Sequence, residues 1–224
     1  MKKTIIALLF LSGITASAQS VLDQLDASGG LYRDRPDAAY HEKAQGSPYI
    51  NETFAVSEIG GVVGNVRTRY NAERDEVEIQ NDQNQIFVMN KKDNFSKISS
   101  SYGKYILRLV NYKTEDGKDV YGYLVEVTTL NGVSLLRRDK IVLQKERQGK
   151  SSYDTYTPAK FAKAKDEFYV ELKDKSIIAL PKNKKKFIEL FPNQKEALTT
   201  FLKTNDYSLE EKDLIKVVRY LATL

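Results

Sequence analysis

Between Tyr105 and Leu143, apolar and polar positions alternate with a period of two and break only where turn residues gather. Half-buried strands have this spacing, because successive side chains point to opposite faces. Asn131-Gly132 is the strongest hairpin signal in the chain, since a type I′ turn needs a positive φ at both central positions. The turn sets a register in which Leu130 opposes Val133, Thr128 opposes Leu135, and Glu126 opposes Arg137 as a cross-strand ion pair. Asp116-Gly117, taken the same way, places Tyr112 against Tyr121, Val110 against Tyr123 and Leu109 against Leu124. Three strands follow, at about 104–113, 120–130 and 133–143.

The same alternation recurs in Val66-Arg67-Thr68-Arg69-Tyr70 and Asp75-Glu76-Val77-Glu78-Ile79. With Asn71 to Arg74 as a four-residue loop, Arg69 faces Glu76 and Arg67 faces Glu78, while Thr68, Tyr70, Val77 and Ile79 share the opposite face. A slip of one residue would set each charge beside an apolar side chain. Paired carboxylates on one strand face suit glycoside hydrolysis or calcium binding, but two arginines directly opposite predict structural ion pairs on a solvated face. On that reading Glu78→Gln is tolerated to within about 1 kcal/mol, whereas Val77→Asp buries an unpaired charge. Gln85 to Met89 returns as another strand, and Phe168–Leu172 with Ser176–Leu180 form a last hairpin about Lys173-Asp174-Lys175.

Beyond Pro181 the period becomes helical. Asn183 caps a helix over Lys184–Phe191, Asn193 with Glu196 has the spacing of a capping box for a helix to Lys203, and Ser208 with Glu211 has it for a final helix to about Leu221. In that last helix Leu214, Val217, Val218 and Leu221 form one stripe, which must pack on another element. The expected fold is therefore α+β: mainly an antiparallel β meander over residues 49–180, a curved sheet or half-barrel, with short C-terminal helices of residues 181–224 packed on it.

The start of the chain differs in kind. Lys2 and Lys3, the apolar run Thr4–Ile14 and Ala16-Ser17-Ala18 have the layout of a Sec signal peptide over residues 1–18. Its apolar run falls short of the roughly 20 residues a bilayer needs. The expectation is an exported chain, neither transmembrane nor lipid-anchored, resident first in the periplasm and otherwise at the cell surface or outside. Residues 19–48, rich in Gly, Asp, Ala and Pro, are expected to form an irregular arm with little structure of its own, within which Val21, Leu22 and Leu25 make a short amphipathic turn able to dock on the body.

Composition narrows the chemistry. There is no Cys and a single His, His41, so a disulfide framework, a cysteine nucleophile, a Ser-His-Asp triad that needs a well-placed histidine, and a multi-His zinc site have little or nothing to be built from. No catalytic, metal or cofactor residue is expected. Lys+Arg number 35 against 30 Asp+Glu, a mild excess that selects no partner, and export disfavours nucleic acid. Lys182, Lys184, Lys185 and Lys186 are a candidate partner surface, for an envelope protein or for peripheral contact with an anionic membrane. Fourteen Tyr and nine Phe can make a stacking platform, but on strands such as those carrying Tyr105, Tyr112, Tyr121 and Tyr123 aromatic residues serve packing. Gly60-Gly61-Val62-Val63-Gly64 precedes a strand rather than a helix, which rules out a phosphate loop of the dinucleotide type.

Gly46-Ser47-Pro48-Tyr49-Ile50-Asn51 with Phe54, and Arg69-Tyr70-Asn71-Ala72 with Asp75-Glu76-Val77-Glu78, give the chain a resemblance. It resembles exported proteins of unknown function from Bacteroidota, flavobacteria especially, which carry a GSPY-type segment, an RYNAxxDExE hairpin, a tyrosine-rich meander and a lysine-rich helical end. The resemblance implies a periplasmic or surface-facing location and brings no catalytic residues. The expected role is a non-catalytic interaction or scaffold module of the cell envelope. The alternative is a carrier that holds an apolar or lipid ligand between the sheet and the C-terminal helices.

Overall fold

Alternating side chains give this chain a sheet with two usable faces, and the computed structural model shows how each is covered. It describes residues 17–32, 44–100, 105–149 and 155–224. In chain order these form α1 (Ser17–Ala27), β1 (Leu31–Tyr32), β2 (Ala55–Ile59), β3 (Asn65–Asn71), β4 (Glu76–Gln80), β5 (Ile86–Met89), β6 (Lys97–Ser100), β7 (Tyr105–Lys113), β8 (Asp119–Leu130), β9 (Val133–Arg138), β10 (Ile141–Gln144), β11 (Lys160–Lys163), β12 (Glu167–Glu171), β13 (Ile177–Leu180), α2 (Lys184–Glu189), α3 (Lys195–Thr204) and α4 (Glu211–Leu221). Among the described residues eleven strands make one open antiparallel sheet in the order β1-β5-β4-β3-β2-β6-β7-β8-β9-β12-β13, while β10 pairs with β11 separately. The fold is α+β, a curved antiparallel sheet with a few short, mainly C-terminal helices.

Face assignment follows the alternation. Leu107 and Leu109 on β7, and Tyr123 and Val125 on β8, enter a core with Ile59, Val66, Tyr70, Val77, Ile79 and Ile98. Tyr112 and Leu124 point the other way and meet Leu136 and Tyr169. The rings of Tyr112 and Tyr169 lie edge to face, 4.9 Å apart. Strand β13 returns beside β7 without pairing to it, so β7-β8-β9-β12-β13 curl into a half-barrel around that second cluster. The outer face of the same strands carries Val133, Leu135, Val170 and Leu180, and the C-terminal helices cover it with Leu198, Leu214, Val217, Val218 and Leu221.

Hairpin registers match expectation where the turn is of the expected type and shift where it is not. Asn131 and Gly132 both have positive φ, 49° and 80°, and Leu130 opposes Val133 with Thr128 opposing Leu135. A bulge between Glu126 and Thr128 then moves Arg137 opposite Val125 and Leu136 opposite Glu126, so the expected pairing of Glu126 with Arg137 is corrected: the bulge sends them to opposite faces. At Asp116-Gly117 only Gly117 has positive φ, and Thr114 and Lys118 close a three-residue loop. The register moves by one, Leu109 meeting Tyr123 and Tyr112 meeting Val120. Between β3 and β4 the loop is 72–75 rather than 71–74, because the Asn71 side chain accepts from the backbone N–H of Glu73 and Arg74 and Asp75 takes positive φ. Arg69 therefore faces Glu78 and Arg67 faces Gln80, a shift of two that leaves the faces unchanged.

Three other segments differ from expectation. The strand expected over 133–143 breaks at Asp139-Lys140, and its second part leaves the main sheet to pair with β11. Part of the expected irregular arm is ordered as α1, which buries Val21, Leu22 and Leu25 in the core, and as β1, paired to β5. The expected processing point after Ala18 falls inside α1; residues 1–16 of the leader, and 33–43 with His41, lie outside the described residues. Asn183 caps α2 as expected, accepting from the N–H of Lys185 and Lys186. Neither capping box forms, however: α3 follows a 3-10 turn at Pro192–Gln194, and Ser208 bonds Asp213 instead of Glu211.

Two substitutions check this architecture. Val77 is fully buried, so Val77→Asp is expected to destabilise the protein by more than about 3 kcal/mol in urea unfolding. Gly132→Val is expected to cost about 1–2 kcal/mol, because its nearest neighbour leaves room for a Cβ but its φ disfavours one; an unchanged melting curve would count against the turn.

Candidate functional site

The two segments that carry the resemblance fold against each other. Ala72 N–H donates to the Pro48 carbonyl, and Tyr49 bridges to Asn71. Tyr49 and Phe54 thereby flank Arg69, whose guanidinium carbon lies 3.7 Å and 4.3 Å from the two ring centroids. Arg69 donates to Glu78 at 2.5 and 3.1 Å, and to the Glu52 carbonyl. Tyr49 adds its hydroxyl to both Glu78 oxygens, at 3.0 and 3.2 Å. Glu78 is fully buried, which corrects its expected place on a solvated face: the Tyr49 segment covers this strand surface. Arg67 stays exposed, and Glu76 sits at the strand end opposite Asn71.

A second junction forms where Asp75 reaches β8. Its carboxylate accepts from Lys91 at 2.5 Å, from the Tyr70 hydroxyl at 2.8 Å and from the Tyr123 N–H at 3.0 Å. Gly122 leaves room for it: a Cβ there would lie 2.5 Å from the carboxylate oxygen. Inside the half-barrel Arg108 makes a two-pronged contact with buried Glu171, at 2.6 and 2.8 Å, and touches Glu126 at 3.5 Å. On the outer face Arg137 joins buried Asp139, at 2.7 Å, to Glu211 at the start of α4. Glu126 and Arg137 are thus both paired, Glu126 with Arg108, and Arg137 with the nearby Asp139 and the distant Glu211.

The tyrosines pack. Burial pushes the Tyr112 hydroxyl up to about 12, despite the opposing effect of Arg138. It also raises Tyr70, Tyr105, Tyr123 and Tyr169 well above the ordinary value, nearby carboxylates adding to it. All five are neutral at physiological pH; Tyr70, Tyr105 and Tyr169 donate to Asp75, Asp139 and Glu167, while the buried Tyr123 hydroxyl has no hydrogen-bond partner among the described residues. Among the described residues, no group of three or more His, Asp or Glu side chains is gathered in a way that would hold a metal ion.

A cleft of about 560 Å3 opens at the mouth of the half-barrel. It lies between the Thr114–Lys118 turn, the ends of β9 and β13, the start of β12 and the approach to α4. Arg138 and Glu167 pair across it at 3.1 Å, and Glu167 also accepts from the Tyr169 hydroxyl. Of the candidate partner surface, Lys182 lines this cleft, whereas Lys184, Lys185 and Lys186 are exposed on α2 outside it. The cleft was not legible beforehand, because its walls come from five segments spread between residues 114 and 214.

Among the described residues no helix is long and apolar enough to cross a membrane. Comparison with family models, with curated proteins and with solved structures finds no match.

Two measurements test the site. Glu78→Gln removes the charge that neutralises Arg69 and is expected to cost about 3 kcal/mol by urea unfolding, whereas the exposed Arg67→Gln is expected to stay within about 0.5 kcal/mol. Arg108 holds the Glu171 carboxyl below the ordinary range through hydrogen bonds. Its folded pKa is therefore below its unfolded one, so its contribution is present above about pH 4.3 and disappears as pH falls through the lower value. Glu171→Gln is expected to flatten the acid limb of a stability-against-pH curve.

Proposed function

We propose that the protein is a non-catalytic, exported cell-envelope protein that works as an interaction module, with residence in the periplasm. The observation that carries this reading is the state of its buried and half-buried acids. Asp75, Glu78, Asp139 and Glu171 each meet a cation at 2.5–2.7 Å and serve to join segments of the fold. Their oxygens are engaged by these cations and by neighbouring hydroxyl and backbone donors, which makes them joints of the fold. The leader-like layout of residues 1–18 supports export. The exposed lysines of α2 with Lys182 are the partner surface.

The carrier reading puts an apolar ligand between the sheet and the C-terminal helices. It has less support, because Leu135, Val170, Leu198, Leu214 and Val217, none more than 2% exposed, fill that layer.

The test is crosslinking in intact cells with tagged native protein, followed by fractionation. The expected result is shortened protein outside the cytoplasm, repeated recovery of one envelope protein, and several-fold less of it with Lys184→Gln/Lys185→Gln/Lys186→Gln. Retention of the whole chain in the cytoplasm, or recovery of nothing reproducible, would overturn the reading.

A further inference from the structure

Charged side chains of both signs crowd the mouth cleft. Five basic and three acidic side chains line it, and two of the acids are neutralised locally: Asp116 by Lys118 at 2.8 Å, and Glu167 by Arg138 at 3.1 Å. The third acid, Glu115, is an exposed turn residue on the rim. That leaves Lys140, Lys165 and Lys182, for which no carboxylate among the described residues stands within ion-pair distance. Backbone geometry brings them together. Ala164 N–H donates to the Lys140 carbonyl at 2.9 Å, which holds the Lys140 and Ala164-Lys165 segments together at one wall, and Lys182 follows directly from β13 through the buried Pro181.

Beneath the lysines the cleft is apolar, its floor made by Tyr169, Leu180 and Leu214, all buried. Its volume of about 560 Å3 falls in the range of about 300–1,000 Å3 typical of small-molecule sites. A ligand that satisfies both features has a negative head to meet three ammonium groups and a hydrocarbon body to displace water from the floor. Lysines, being flexible point charges, accept a carboxylate or a phosphate head without strict geometry. We propose that the half-barrel mouth binds one monomeric anionic amphiphile, a carboxylate or phosphate on an alkyl chain, with its head at Lys140, Lys165 and Lys182. This site shares Lys182 with the partner surface and Leu214 with the layer beneath the C-terminal helices, but it opens at the half-barrel mouth and takes an anionic ligand, so it goes beyond the interaction-module reading.

The test is isothermal titration of the protein with decanoate and with decyl phosphate, each below its micellar concentration. One molecule is expected to bind per chain, decanol and decyltrimethylammonium binding at least about tenfold more weakly. Lys140→Gln/Lys165→Gln/Lys182→Gln is expected to weaken binding about tenfold, and Lys184→Gln/Lys185→Gln/Lys186→Gln by less than about twofold, with unchanged circular dichroism in both. Inorganic phosphate is expected to bind far more weakly than decyl phosphate, which reads the apolar floor. Equal weakening by the two triple variants, equal binding of the cationic analogue, or binding only to vesicles containing phosphatidylglycerol and not to the monomers, would overturn the proposal. A negative titration leaves the envelope-partner reading standing, and loss of that partner leaves the titration to be judged alone.

Discussion

A carboxylate taken out of water has to meet a cation, and four such meetings hold this sheet in its shape. Each joins parts of the chain that are distant in sequence or that lie on different elements. Arg69 and Glu78 tie β3 to β4 under the Tyr49 segment, and Lys91 carries Asp75 against β8. Arg108 spans the half-barrel to Glu171, and Arg137 links Asp139 to α4. Breaking such a pair is expensive because the remaining charge is stranded, even though an apolar pair of equal volume can be as stable. Their effect is to specify which segments meet.

The second constraint is the change of covered face along β8 and β9. One bulge, between Glu126 and Thr128, shifts the pairing by one residue. The extra residue is on β8, so it re-aims Glu126 into the half-barrel, where Arg108 meets it and Glu171, while β9 keeps its own alternation with Leu135 and Arg137 toward the helices and Leu136 inside. The mouth cleft is a consequence of this geometry: β13 comes alongside β7 without pairing, so the curl stays open at the end where the lysines gather.

Burial of charge also shapes what the protein is suited to do. The acids that local spacing marked as a candidate pair are spent on structure, Glu78 in a closed cluster and Glu76 at a strand end. The α2 lysines and Lys182, by contrast, stay exposed at the surface.

Local order determined much of this on its own. Alternation assigned the faces of β3 and β4, Asn131-Gly132 set its turn, Asn183 capped α2, and the stripe of Leu214, Val217, Val218 and Leu221 found its sheet, whereas the one-residue shift at Gly117 exchanged the expected partners of Leu109 and Leu124 across β7 and β8. These features depend on neighbours within a few residues, where backbone geometry leaves few choices. Only the tertiary structure decided the bulge after Glu126, the ordering of α1 and the burial of Glu78. The loop at 72–75 turns on a local contact, Asn71 accepting from Glu73 and Arg74, whereas the burial of Glu78 and the ordering of α1 rest on contacts made from afar: Tyr49 over Glu78, and Phe95 and Met89 in the same core as Leu25. A period of two states which side a residue faces but not what will cover that side, and whether a charge ends in water or against a ring is settled by the segment that arrives there.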